Sequence, residues 1–150
     1  MNPSAISGPS LTLDARRSRY RLPVPVRALV VDDFPDVAEA LARLLQAMGC
    51  AATFVVDSKK AMDAAAALDA EICFLDIGMP GIDGYELART FRKRYGERIL
   101  LVAVSAYGSP QHRHKSREAG FDAHVQKPVD AKIVESMLAT VLASRLGRGP

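Results

Sequence analysis

Ile72-Cys73-Phe74-Leu75-Asp76 is a short apolar run that ends in a carboxylate, and its pattern indicates the fold. Three further short runs are also followed by polar residues. These are residues 28–31 before Asp32 and Asp33, residues 99–104 before Ser105, and residues 123–126 before Lys127. Short apolar runs separated by helix-length segments are typical of buried strands in a parallel sheet. Because ligands bind beyond the carboxyl ends of such strands, the polar residues are predicted to meet at one rim.

The segments between these runs have the apolar spacing of helices. A helix is predicted after the first strand, with Val37, Leu41, Leu44, Leu45 and Met48 on one face, and Gly49 ends it. A second strand is predicted over residues 53–56 and an alanine-rich helix over residues 59–68. Five strand–helix units with right-handed crossovers predict an α/β fold, a flavodoxin-like doubly wound (βα)5 three-layer sandwich with parallel strand order 2-1-3-4-5.

The chain has 150 residues, 49% of them apolar, which is enough for one domain with a substantial core. Residues 1–25 are predicted to form a flexible basic arm, residues 26–146 the folded domain, and residues 147–150 a frayed end. The arm contains four arginines and one aspartate, which accounts for the whole net charge of +3. Because the rest is neutral, direct nucleic-acid binding is not expected beyond the arm.

The chain is expected to be cytoplasmic. It has no apolar stretch of about 20 residues that could span a bilayer, and its first residues lack the order of a secretory signal. Cys50 and Cys73 are expected to be reduced, mostly buried thiols.

The clustered carboxylates predict a cation site. Neighbouring carboxylates at one rim repel each other by about 4 kcal/mol per pair at an effective dielectric constant of about 20. Mg²⁺ suits such a cluster because it accepts one or two carboxylates together with waters and phosphate oxygens. Lys127 and the Ser105 hydroxyl could contact a phosphoryl group, and Asp76, on the central strand, is the candidate nucleophile. Asp57, which follows an edge strand, is interpreted as a helix cap.

The motifs together match one known family. Asp32-Asp33, the stretch Asp76-Ile-Gly-Met-Pro-Gly-Ile-Asp-Gly, Ser105-Ala106 and Lys127-Pro128 occur in order at suitable spacing. In these motifs the chain resembles the receiver domain of two-component response regulators, over about residues 27–146. The resemblance implies a stand-alone, single-domain receiver that is not an enzyme with a separate substrate but assists its own phosphotransfer and dephosphorylation.

The resemblance also implies roles for the site residues. Asp76 would accept a phosphoryl group from a phosphohistidine on a histidine kinase or a histidine phosphotransfer protein. Asp33, Asp76 and the backbone carbonyl of Gly78 would ligate Mg²⁺, while Asp32 would act through a metal-bound water. Lys127 would pair with Asp76 or its phosphate, and the bond from Lys127 to the following proline is expected to be cis.

Four positions concern switching and the lifetime of the phosphoryl group. By the resemblance, Ser105 moves to bond the phosphoryl oxygen, and His124 then turns inward. The alternative is a half-buried histidine that never switches. Gly78 and Tyr107 would flank the phosphoryl group; Gly78 has no side chain to shield it, whereas Tyr107 could cover it.

The signalling surface is expected to be the face formed by the fourth helix, fifth strand and fifth helix. This face would bind an unknown downstream protein or a second copy of the chain in a homodimer. The fourth helix carries His112, Arg113, His114, Lys115 and Arg117, which form either a partner surface or a solvated face.

Three other functions are alternatives for a chain with these elements. One is a receiver-like scaffold that works without phosphorylation. Another is a phosphatase-like hydrolase with an aspartyl nucleophile, which is disfavoured because Gly78 stands where a general-acid aspartate would be expected. A dinucleotide-binding enzyme is disfavoured because no glycine-rich fingerprint follows the first strand.

Overall fold

The computed structural model describes residues 24–79, 81–106, 108 and 110–148. Most of the predicted arm, Tyr107 and the last two residues therefore lie outside the described residues. Strands and helices alternate along the described chain. They are β1 (Arg27–Val31), α1 (Pro35–Ala47), β2 (Ala51–Val55), α2 (Ala61–Leu68), β3 (Ile72–Asp76), α3 (Gly84–Tyr95), β4 (Leu100–Ser105), α4 (Pro110–Ala119), β5 (Ala123–Gln126) and α5 (Ala131–Arg148).

The five strands form one parallel sheet in the order β2-β1-β3-β4-β5, which confirms the predicted fold class and strand order. β3 is central and pairs with β1 on one side and β4 on the other. Leu75, near its end, lies opposite Val31 of β1 and Ala103 of β4. The register therefore brings the carboxyl ends of the three strands to one rim.

Apolar side chains fill both faces of the sheet. One core cluster joins the strands to α1 and α5, with Val30, Leu45, Phe74 and Leu138 among its buried residues. The other joins them to α2, α3 and α4, with Leu29, Leu75, Phe91 and Ala119 among its members. β3 is buried along its whole length, which explains why its sequence is apolar throughout rather than alternating.

Two predicted elements begin at other residues in the structure. β2 begins at Ala51, because Ala51 pairs in register with Arg27 of β1. The segment after it first forms a short 3₁₀ helix, Ser58–Lys60, so that α2 begins at Ala61. The predicted capping by Asp57 is confirmed, since its side chain accepts a hydrogen bond of 3.0 Å from the backbone N–H of Lys59.

The last helix extends farther than predicted. Asp130 caps its start by accepting a hydrogen bond of 2.9 Å from the backbone N–H of Ile133. α5 then continues through Arg148, two residues into the tail that was predicted to fray. Among the described residues, no helix is both long and apolar enough to cross a membrane.

Both cysteines are free and buried, as predicted. Burial, together with the nearby charge of Glu71, raises the pKa of Cys50 to about 11. Burial likewise raises the pKa of Cys73. These thiols are therefore structural residues of the core.

Candidate functional site

Three carboxylates meet at the carboxyl ends of β1 and β3. Asp32 and Asp33 directly follow β1, and Asp76 is the last residue of β3. Because the two strands pair in parallel, one oxygen from each carboxylate lies within 4.8 Å of the others. Asp32 is 3% exposed and Asp76 7% exposed. The cluster predicted from the sequence is therefore present.

Lys127 supplies a positive charge to this cluster. Its Nζ lies 2.9 Å from Oδ2 of Asp32 and 3.4 Å from Oδ2 of Asp76. Its backbone N–H donates a hydrogen bond of 2.8 Å to the carbonyl of Ser105, which holds the residue beside the end of β4. The peptide bond between Lys127 and Pro128 is cis, as predicted. The predicted pairing with Asp76 is confirmed, and Asp32 is the nearer partner.

The loop after β3 fixes the orientation of Asp76. The backbone N–H of Gly78 donates a hydrogen bond of 2.9 Å to Asp76 Oδ1, and Gly78 itself is exposed. Gly84 begins α3 in close contact with β3, because an added Cβ would fall 2.4 Å from Cα of Ile77 and 2.8 Å from the carbonyl oxygen of Asp76. Gly84 lies within the motif that begins at Asp76, but the sequence pattern alone does not predict this steric requirement.

Burial and neighbouring charges shift the pKa values of Asp76 and Lys127. Burial raises the pKa of Asp76, and the neighbouring charge of Asp32 adds to this effect. The Gly78 N–H and the Lys127 ammonium oppose it without cancelling it. For Lys127, burial alone would lower the pKa, but hydrogen bonds and charges from Asp32 and Asp76 outweigh burial and leave the pKa raised. Lys127 is therefore positively charged at neutral pH.

The donor set suits a hard divalent cation. Asp33 Oδ1 is buried and has no hydrogen-bond partner among the described residues. An unpaired buried carboxylate oxygen is costly unless a cation binds it. The cluster offers only carboxylate oxygens as side-chain ligands, which suits Mg²⁺ and does not suit zinc. The residues present therefore fit the predicted cation site.

Ser105 and His124 lie on the next two strands. Ser105 ends β4 beside β3, is 2% exposed, and lies opposite Gln126 of β5. His124 lies on β5, opposite Ala103, and is half-buried. Its Nδ1 is 2.8 Å from Oγ of Ser116 on α4. Ser116 was not predicted from the sequence, because a single serine in a polar helix gives no indication that it is buried.

A cavity of about 560 Å³ adjoins the carboxylates. Asp76 and Lys127 lie at its polar end, while Val37, Leu44 and Phe74 contribute to its apolar wall. Val37 was predicted on the buried face of α1 but is 42% exposed, and it lines this cavity. The Asp76 carboxylate is therefore next to an open apolar surface. Asp57, by contrast, does not belong to the carboxylate cluster.

A family comparison identifies this arrangement. The family model described as "Response regulator receiver domain" matches residues 28–139. The chain belongs to the response regulator receiver domain family. The match covers the folded part from β1 into α5 and confirms the resemblance seen in the sequence motifs.

Individual relatives agree with this assignment. The receiver domain is 33% identical over 120 residues to Response regulator MprA of Mycolicibacterium vanbaalenii. The match covers 80% of this chain and 50% of the relative, so the chain spans about half the length of that protein.

Solved structures show the same fold. A CheY-like receiver domain protein from Methanospirillum hungatei matches with a TM-score of 0.75 and 21% identity, covering 84% of this chain and 100% of that one. The BeF3-activated receiver domain of DrrB, from Thermotoga maritima, matches with a TM-score of 0.71 and 22% identity, covering 80% of this chain and 99% of that one.

Proposed function

We propose that Asp76 is the phosphoacceptor of this receiver domain. A phosphohistidine on a histidine kinase, or on a histidine phosphotransfer protein, would be the donor in a two-component phosphorelay, and we place this exchange in the cytoplasm. The observation that carries the proposal is the environment of Asp76. Its carboxylate is held at the end of β3 between the Gly78 N–H and the Lys127 ammonium, beside two further carboxylates.

The transfer is a substitution at phosphorus. An oxygen of Asp76 forms the new O–P bond while the N–P bond to the donor imidazole breaks. The electron pair of that bond stays on the imidazole nitrogen, which takes up a proton from solvent. The cavity beside Asp76 gives a donor imidazole room to approach. The Lys127 ammonium partly offsets the burial and the Asp32 charge that raise the pKa of Asp76, and it thereby favours the ionised, nucleophilic form of the carboxylate.

Other residues of the chain stabilise the transferring group. Lys127 contacts one phosphoryl oxygen, and the Ser105 hydroxyl donates a hydrogen bond to another. Asp33, Asp76 and the Gly78 carbonyl would hold Mg²⁺, with Asp32 contributing through a water, and Mg²⁺ held there would neutralise negative charge on the phosphoryl oxygens. In this proposal the domain assists its own phosphorylation and dephosphorylation.

Phosphorylation then changes the surface formed by α4, β5 and α5. The acyl phosphate adds up to about two negative charges at neutral pH. Ser105 moves to bond the new group, and His124 turns inward from β5. The rearranged surface binds a downstream protein or a second copy of the chain. The alternative, a His124 that does not switch, predicts identical His124 ring resonances with and without phosphate.

The test is intact-mass spectrometry after incubation with acetyl phosphate and Mg²⁺. We expect one phosphoryl adduct on the wild type and none after Asp76→Asn or after addition of EDTA. Asp57→Asn is the matched control, because Asp57 is an exposed aspartate that also follows a strand; this variant should keep the adduct.

A different result would redirect the proposal. If acetyl phosphate and several phosphorylated histidine donors all leave the wild type unmodified in the presence of Mg²⁺, the phosphorylation-independent scaffold becomes the better account. Turnover of small phosphoesters would instead favour the hydrolase.

A further inference from the structure

A partly buried hydrogen bond links β5 to α4. Oγ of Ser116 on α4 lies 2.8 Å from Nδ1 of His124 on β5. Ser116 is 1% exposed, and buried hydroxyl groups are rarely left without a partner. Most other residues of α4 are exposed and polar. Since so few apolar side chains anchor this helix, a polar contact has a larger share in fixing its position.

Arg113 extends this contact from the same helix. Its Nη1 donates a hydrogen bond of 3.1 Å to the backbone carbonyl of His124. Its Nε donates one of 3.2 Å to the carbonyl of Gly108, in the segment between β4 and α4. Gln126 Nε2 donates a longer one of 3.4 Å to the carbonyl of Ala106. The contacts of Ser116, Arg113 and Gln126 thus join α4, β5 and the segment that follows Ser105.

Ser105 and His124 share one face of the sheet. Ala103 lies opposite His124, and side chains of paired residues in parallel strands point to the same side. Ser105, two residues after Ala103, points to that side as well. Ala103 belongs to the core cluster that includes α4, which identifies the side. His124 therefore lies between Ser116 on α4 and the strand that ends in Ser105.

We infer that Ser116 is a positioning residue that sets the equilibrium of the His124 switch. The inference rests on the proposed function, in which His124 turns toward the position that Ser105 leaves. The hydrogen bond between Ser116 Oγ and His124 Nδ1 holds the ring against α4, and the inward turn must break it. An interaction present in only one of two states shifts their populations by its own free energy.

Loss of this bond should favour the turned state. A neutral hydrogen bond corresponds to a shift of about fivefold in the equilibrium, the equivalent of about 1 kcal/mol. When a ligand binds only a minor state, its apparent dissociation constant equals the intrinsic dissociation constant divided by the fractional population of that state. Ser116→Ala should therefore bind a phosphoryl mimic about fivefold more tightly than the wild type.

The experiment measures the apparent affinity for beryllofluoride in the presence of Mg²⁺. Ser136→Ala is the matched control, because the Ser136 hydroxyl bonds the Ile133 carbonyl within α5 and Ser136 is exposed. We expect tighter binding for Ser116→Ala and no change for Ser136→Ala. In a His124→Phe background, Ser116→Ala should have no effect, because the interaction is already absent.

A spectroscopic measurement separates positioning from general loosening of α4. In ¹⁵N spectra of the His124 ring, the Nδ1 signal of the unliganded wild type should differ from that of Ser116→Ala, and beryllofluoride should remove the difference. Ser116→Cys keeps the buried volume filled with a weaker hydrogen-bonding group. Ser116→Cys should also bind beryllofluoride more tightly than the wild type. It replaces Ser116→Ala in the experiment if the alanine variant does not fold.

Three outcomes would overturn the inference. The first is an unchanged or weaker affinity for Ser116→Ala in a folded protein that still binds beryllofluoride. The second is an equal effect of Ser116→Ala with and without His124. The third is a wild type that neither binds beryllofluoride nor gains a phosphoryl adduct; in that case the proposed function fails, and the inference fails with it.

Discussion

At the scale of single residues, Lys127 determines the electrostatics of the site because its ammonium contacts two of the three clustered carboxylates. Each pair of carboxylates at this spacing repels by about 4 kcal/mol at an effective dielectric constant of about 20. Without Lys127, these two carboxylates would keep the backbone N–H groups of Phe34 and Gly78 as hydrogen-bond donors among the described residues. Lys127 therefore partly offsets the burial and the Asp32 charge that raise the pKa of Asp76. In the proposed function it also contacts the incoming phosphoryl group.

Replacement of this charge should slow phosphorylation strongly. We expect Lys127→Ala to reduce the rate of adduct formation with acetyl phosphate and Mg²⁺ by about 100-fold, as for removal of one electrostatic contact to a transition state. The rate is measured by intact-mass spectrometry over time. Lys132→Ala removes an exposed lysine from the first turn of α5 and should leave the rate unchanged. A Lys127→Ala rate within about threefold of wild type would remove Lys127 from the mechanism.

The identities of these residues could be predicted from the sequence, whereas their contacts could not. Asp32, Asp76 and Lys127 were identified because each lies at the end of a strand, and the strand order brings those ends together. The closer pairing of Lys127 with Asp32 depends on side-chain conformation across the end of β4, which spacing does not determine. Ser116 was missed because α4 is polar all round, so its pattern does not show which residue is buried.

At the scale of elements, the position of Asp76 depends on how closely α3 approaches β3. Gly84, the first residue of α3, is buried against the backbone at the end of β3. Asp83 caps the helix by accepting a hydrogen bond of 2.8 Å from the Glu86 backbone N–H. The cap and the glycine together define where α3 begins and hold the loop that orients Asp76.

Addition of a methyl group at Gly84 should disturb this junction. In Gly84→Ala the new Cβ would meet the Ile77 Cα at 2.4 Å, a contact that only a backbone shift can relieve. We expect the free energy of unfolding to fall by about 2 kcal/mol, as for other overpacked sites. Gly147→Ala is the control, since that glycine lies in α5 with no atom within 4 Å of an added Cβ.

Urea unfolding of the two alanine variants checks this expectation. Gly147→Ala should be neutral or slightly stabilising, because alanine favours helix more than glycine does. Equal stabilities for Gly84→Ala and Gly147→Ala would show that the junction can relax without cost.

The elements differ in how well their ends could be predicted. Burial on both faces makes β3 an unbroken apolar run, so its bounds were clear from the sequence. β2 is an edge strand with exposed positions, and its start is determined by pairing with β1 rather than by its own pattern. The 3₁₀ helix before α2 was not predicted, because a capping aspartate can precede either kind of helix.

At the scale of the whole molecule, a second network of charged residues lies at the end of the sheet opposite the candidate site. Glu71, just before β3, is 8% exposed. Arg145 of α5 donates to both of its carboxylate oxygens, each at 2.6 Å, and also to the carbonyls of Val24 and Pro25. Arg27 of β1 donates its backbone N–H to Glu71 at 3.2 Å. The network therefore fastens α5 to the start of β1 and β3.

The ionisation of Glu71 makes this network dependent on pH. Burial by itself would raise the pKa of Glu71, but the hydrogen bonds and charges of Arg145 and Arg27 outweigh it and hold the pKa below its ordinary value. A lowered pKa in the folded state means that the ionised network stabilises the fold at neutral pH. This contribution is present above the unfolded pKa of about 4.3 and is lost as the pH falls through the folded pKa.

Removal of Arg145 should reveal this dependence. We expect Arg145→Met to lower the free energy of unfolding by about 2 kcal/mol at neutral pH, in the range for hydrogen bonds to charged groups. Urea unfolding across the acidic range should show the difference from wild type shrinking as Glu71 is protonated in both proteins. Arg43→Met removes the exposed ion pair with Glu39 on α1 and should cost less than about 0.5 kcal/mol. If the decrease in the free energy of unfolding caused by Arg145→Met stays constant with pH, the decrease would instead come from lost packing of the Arg145 methylene groups.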